Sequence, residues 1–104
     1  MIEVSISWDL LPNIDQDAYA EWAKKTVGGM LQAPGLVEFR ANRNMLGTPQ
    51  ARSTTVWNSL ADWANYTDTD EWRALEEELR GFVSNIQVEI WGPSPVVPEP
   101  LRPS

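Results

Sequence analysis

The stretch Ser53–Val83, STTVWNSLADWANYTDTDEWRALEEELRGFV, decides the fold. It opens with β-branched residues and Trp57, turns polar at Asn58 and Ser59, and continues in helical period. Two capping patterns follow, Ser59 with Asp62 and Asp68 with Glu71, each an acceptor side chain three residues ahead of an acid. A strand, a short helix and a longer helix are therefore predicted. Trp72, Leu75, Leu79, Phe82 and Val83 form the apolar stripe of the longer helix. On its outer face Arg73 with Glu77 and Glu76 with Arg80 stand four apart, each pair worth about 0.2–0.5 kcal/mol, so the run Glu76–Arg80 reads as a solvated surface.

Working outward, Ile2, Val4, Ile6, Trp8 and Leu10 alternate with Glu3, Ser5, Ser7 and Asp9, which is a strand with one apolar face. Asn13 or Asp15 caps a helix whose inner residues include Ala18, Trp22, Val27 and Met30, ending near Ala33–Gly35. A second alternation runs from Leu36 to Met45, LGTPQ makes a turn, and Ala51–Trp57 is the third strand. The last strand is NIQVEIW, Asn85–Trp91. Five prolines among residues 93–104 preclude ladder pairing, so residues 1–92 are read as one domain and 93–104 as an extended tail.

The order strand, helix, strand, strand, helix, strand is the split β-α-β arrangement of ferredoxin-like α+β domains. It predicts a four-stranded antiparallel sheet in the order 4-1-3-2 with the helices on one face. Apolar parity assigns Val4, Ile6, Trp8, Val37, Phe39, Val56, Val88 and Ile90 to the helix side. The other face then carries polar residues, among them Ser7, Glu38, Arg40, Asn42 and Glu89, together with two large indoles, Trp57 and Trp91, expected beside Glu3 and Ser5. Such a surface is expected to be covered, most simply by a second copy of the same sheet across a twofold axis. Trp8, Trp22, Trp63 and Trp72 fall on apolar stripes and are expected in the core.

Composition removes several functions. There are 8 Lys plus Arg against 15 Asp plus Glu, a net charge of −7, which repels phosphate backbones and anionic lipid and argues against nucleic acid and membrane partners. With no histidine and no cysteine, imidazole bases, thiolate nucleophiles, structural zinc and haem ligation by those side chains are excluded. Glu3 and Asp9 interrupt the N-terminal stretch where a signal peptide needs basic and then apolar residues, and the expected location is cytoplasmic.

PGLVEFRANRN, TTVWNSLADWANY, DEWRALEEEL and VEIW, in this order over residues 2 to 92, resemble the antibiotic biosynthesis monooxygenase family of dimeric α/β-barrel proteins. The resemblance implies a homodimer whose sheets line a cavity for a small, often aromatic molecule. Its superfamily includes oxygenases that need no metal or flavin, haem-degrading oxygenases and polyketide cyclases. Trp57 matches the tryptophan that ends the third strand in the oxygenases. Ser7 and Tyr66 stand where haem-degrading relatives place asparagine and histidine.

The reading adopted is cofactor-independent oxygenation of a small aromatic or quinol-type molecule, with no metal. Trp57, Asn42, Arg40, Ser7 and Trp91 are the expected ligand-binding residues, and Glu38 and Tyr66 the candidate proton acceptors. A carboxylate buried without a cationic neighbour has a raised pKa and serves as a base. Two alternatives stay open, a polyketide cyclase or isomerase on the same fold and a non-enzymatic binding or interaction dimer. Each residue also has a plainer reading. Trp57 is as well explained by packing, Tyr66 by closing the short helix on the sheet, and Arg40 by an ion pair with Glu38 or Glu89.

Overall fold

The computed structural model describes residues 1–104. It contains β1 (Ile2–Leu10), α1 (Gln16–Met30), β2 (Leu36–Arg43), β3 (Ala51–Trp57), α2 (Leu60–Thr67), α3 (Asp70–Arg80) and β4 (Val83–Trp91). The strands form one antiparallel sheet in the order β2-β3-β1-β4, the order expected from the sequence. The architecture is α+β and ferredoxin-like. No helix is long and apolar enough to cross a membrane.

Local chemistry sets the helix ends. The Asp15 side chain accepts from the Ala18 N–H at 3.1 Å and starts α1, while Asn13 adopts a left-handed φ of 60° in the preceding turn. Ser59 accepts from the Asp62 N–H at 3.1 Å and donates to the Asp62 carboxylate at 2.9 Å, giving the box predicted for α2. The cap of α3 is Thr69, which accepts from Trp72 N–H at 3.2 Å. Asp68, the cap expected from the sequence, instead closes α2. The helical stripe is also shorter than predicted. α3 ends at Arg80, and Val83 opens β4, where it is buried.

Register settles which side chains face the helices. Paired residues of an antiparallel ladder point to the same side. β1 pairs with β3 as Ile2↔Trp57, Val4↔Thr55, Ile6↔Ser53 and Trp8↔Ala51. Trp57, Thr55, Ser53 and Ala51 therefore share the helix side with Val4, Ile6 and Trp8. Val56, Thr54 and Arg52 face the other way. This corrects the parity inferred for the third strand. Val37 is likewise half exposed, because a register shift between Leu36 and Glu38 hands the inward position to Leu36. Val88 and Ile90 keep the expected side, in register with Ile6 and Val4, but stay 52% and 46% exposed on the edge strand.

Tryptophan dominates the core. Trp57 is 0% exposed, and Trp8, Trp22 and Trp72 are buried beside Val4, Leu75, Leu79 and Met30. Trp63 packs at the margin. Each buried indole N–H must find an acceptor or carry its desolvation cost. Trp22 donates to the Leu75 carbonyl at 2.8 Å, Trp8 to the Tyr19 hydroxyl at 3.1 Å and Trp57 to the Thr55 hydroxyl at 2.7 Å. Residues 92–104 carry no helix or strand, and residues 97–100 border a cleft with Met1, Ile2, Val56 and Trp91.

Candidate functional site

Between α1 and the helix side of the sheet lies a pocket of about 260 Å³. Tyr19, Trp22, Ala23, Thr26, Val27 and Met30 line it from α1, spaced at three and four residues so that one helical face projects inward. Ile6 and Trp8 of β1, Phe39 and Ala41 of β2, and Ala51 and Ser53 of β3 form its floor, with Trp72 and Leu79 of α3 closing one end. Twelve of the sixteen lining residues are hydrophobic, which makes the pocket apolar. A cavity of about 150 Å³ with such a lining accepts benzene, so this one has room for a larger aromatic system.

Few polar groups reach it. Thr26 spends its hydroxyl proton on the Trp22 carbonyl at 2.8 Å. The Tyr19 oxygen accepts from Trp8 and keeps its own proton to give, and Ser53 makes no side-chain hydrogen bond within the protein. Asn42 and Arg52 border the pocket at the β2–β3 end, joined by a 3.3 Å hydrogen bond from the Arg52 guanidinium to the Asn42 amide oxygen. No aspartate, glutamate or lysine lines the pocket.

The expected site residues therefore separate. Ser7, Arg40 and Trp91 share the open face, on the far side of the sheet from the pocket, by their register with Arg52, Thr54 and Glu3. Asn42 belongs to that face by register yet borders the pocket. Trp57 lies on the helix side but is sealed into the core, its ring 5.6 Å from that of Tyr66, and is not among the pocket's lining residues. Glu38 is ion-paired with Arg40, which also holds Glu3 at 3.0 Å, so a cationic neighbour stands beside it on the open face. The residues missed from the sequence are Tyr19 and Ser53. Tyr19 had a signal, since it stands three before Trp22 on the inner stripe of α1. Ser53 had none until the register of β3 was known.

Tyr66 faces elsewhere. Its ring lies between Trp57 and Trp72, at 5.6 and 5.7 Å, and its hydroxyl is buried without a hydrogen-bond partner beside Gly29 and Glu71. Burial first, and the negative charge of Glu71 second, hold its pKa above the ordinary phenol value. That direction keeps the proton on, against a role as acceptor near neutral pH. Because an orphaned buried hydroxyl is costly, Tyr66→Phe is expected to stabilise the fold by about 1 kcal/mol in urea melts at pH 7. The advantage should widen above pH ~10. There the unfolded wild-type chain releases a phenol proton that the folded chain retains, so wild-type stability falls with rising pH while the variant lacks that loss.

The family model described as antibiotic biosynthesis monooxygenase matches residues 1–78. No curated protein sequence matches. Among solved structures, SnoaB, a cofactor-independent oxygenase from Streptomyces nogalater, is similar with a TM-score of 0.77 at 11% identity, over 94% of this chain and 97% of that one. A conserved protein from Methanosarcina mazei Go1 gives 0.77 at 12% identity over 86% and 89%. A dimeric ferredoxin-like protein of unknown function from Thermobifida fusca gives 0.74 at 10% identity over 86% and 88%. At these identities the structures establish the shared fold, and the family match over residues 1–78 establishes that the chain belongs to the antibiotic biosynthesis monooxygenase family.

Proposed function

We propose that the chain is a homodimeric, cofactor-independent monooxygenase that oxidises a small electron-rich aromatic, of phenol or quinol type, held in the pocket between α1 and the sheet. The observation that carries this reading is an apolar, tryptophan-lined pocket of about 260 Å³ inside a fold of this family. Similarity to SnoaB supports the reaction type. The dimeric neighbour from Thermobifida fusca supports the assembly, and the open face, with Trp91 57% exposed among charged residues, is the surface offered for it.

The chemistry needs no external electron donor. A methylene carbon activated by a phenolic ring is oxidised to a carbonyl, one oxygen atom of O₂ entering the product and the other leaving as water with the two hydrogens of the methylene. The reactive species is the substrate anion. Within the pocket the Tyr19 and Ser53 hydroxyls are the groups available to donate hydrogen bonds to its oxygen, and exclusion of water strengthens them. Since no carboxylate lines the pocket, the substrate gives its proton to solvent before it is buried and enters as the anion. The rate is therefore expected to rise with pH along the substrate's own ionisation, without an acid limb belonging to an enzyme carboxylate.

The missing base also favours a second reading, a non-catalytic carrier of the same aromatic class. Incubation with a panel of anthrones and quinols under air and under argon separates the two. An oxygenase consumes O₂ and forms carbonyl product only in air. Tryptophan quenching without oxygen uptake across the panel would assign the carrier. Light scattering tests the dimer in the same preparation, where a mass twice the 11.7 kDa of the chain is expected.

A further inference from the structure

Two charges near the β2–β3 end of the pocket stand without a carboxylate. In residues 1–91 there are seven lysines and arginines, and five of them, Lys24, Lys25, Arg40, Arg73 and Arg80, hold carboxylates within 4.0 Å. Only Arg43 and Arg52 do not, although acids outnumber bases 15 to 8 in the chain. The two are not equivalent. Arg52 belongs to the open face by register yet borders the pocket, and its guanidinium is already engaged by Asn42. Arg43 pairs with Ala51, which pairs with Trp8, so its side chain belongs to the helix side. Every other sheet side chain in register on that side is uncharged.

Arg43 is the next same-side residue after Ala41, about 7 Å further along β2. With Ala51 it lines an exposed hollow of about 390 Å³ that shares Asn42, Ala51 and Arg52 with the apolar pocket. Because a chain of charge −7 repels anions at long range, an anionic ligand gains here only from a local cation. A single exposed guanidinium matches a single negative charge, and its planar fork suits a carboxylate.

We propose that Arg43 is a specificity-determining residue that receives the carboxylate of an aromatic acid whose ring system occupies the pocket between α1 and the sheet. This rests on the assignment of that pocket as the ligand site.

Calorimetric titration with 2-naphthoate and 2-naphthamide tests it, since the two share a ring and differ in charge. The wild-type chain is expected to bind the acid about five- to tenfold more tightly than the amide. Arg43→Gln should bring that ratio to one or below, and Arg43→Lys should keep part of it, so that charge and not packing is the cause. Lys24→Gln, on the exposed face of α1 and outside the pocket lining, should retain the ratio. Because Arg43 is exposed at the end of an outer strand, melting curves of its variants should overlay the wild type. Equal affinity of the wild type for both ligands, or a preference that survives Arg43→Gln, overturns the role of Arg43 and leaves the pocket intact. Failure of both ligands to bind overturns the pocket assignment itself, and the role of Arg43 with it.

Discussion

Replacing Trp57 by alanine is expected to remove about 3–5 kcal/mol of stability, the usual cost of emptying an aromatic site in a packed core. The side chain is 0% exposed, its ring meets Tyr66 at 5.6 Å, and its N–H satisfies the buried Thr55 hydroxyl at 2.7 Å. Deletion leaves a void between β3 and α2 and an unpartnered hydroxyl beside it. A domain of this size has about 5–15 kcal/mol to lose, so the variant should melt at a much lower urea concentration or accumulate as aggregate. Trp57→Phe should recover most of the loss, because it keeps the ring contact and gives up only the N–H and some volume. A solvent-facing indole at position 57 would cost no more than about 0.5 kcal/mol. A loss that small in Trp57→Ala would mean that β3 pairs one residue out of register.

Ser53→Phe is expected to abolish ligand binding while leaving the fold in place. Ser53 sits in the centre of the pocket floor, paired with Ile6 on one side and Ala41 on the other. A phenyl group there occupies space that is empty in the wild type and lies on a strand that favours aromatic residues, so it should shift stability by less than the 1–3 kcal/mol of an overpacked core. The ligand has no such freedom. Affinity for any aromatic of the size the 260 Å³ pocket admits should fall a hundredfold or more, with oxygen uptake falling in step. Ser53→Ala separates volume from chemistry. If the hydroxyl orients the substrate anion, alanine should lower the turnover rate several-fold with little change in binding. Undiminished binding by Ser53→Phe would place the ligand elsewhere in the molecule.

The same residues show where reading from sequence stopped. Strand β1 was legible because its apolar and polar residues alternate over nine positions without exception. Strand β3 was not. Val56 and Trp57 are adjacent, both large and apolar, and pleating must send them to opposite faces. Choosing Val56 as the inward one moved the whole strand over, because a slip of one residue exchanges the faces. Arg52 carried the missing signal. It shares parity with Val56, and an arginine beneath the helices would be an unpaired buried charge.

That single exchange redistributed the candidate site. With Trp57 on the open face the cavity belonged between two subunits, among Arg40, Ser7 and Trp91. With Trp57 inside, the pocket proposed for the ligand lies on the helix side, where Tyr19 and Ser53 line it and Glu38 and Tyr66 do not. Tyr66 shows a different limit. Its position after β3 was plain, but the direction of its hydroxyl depends on how α2 packs against α1 and α3, a long-range contact with no local signature.

Alternation, capping residues and the order of elements were enough by themselves to determine an antiparallel four-stranded sheet with helices on one side, and the residue inventory was enough to remove imidazole and thiolate chemistry. These properties are local or compositional, and the chain carries them wherever it goes. Which face of β3 turns inward, where a pocket remains between α1 and the sheet, and which arginines are left without a carboxylate were decided only by tertiary structure, because register and packing are set by residues distant in the chain, as Ile2 with Trp57 and Trp8 with Ala51.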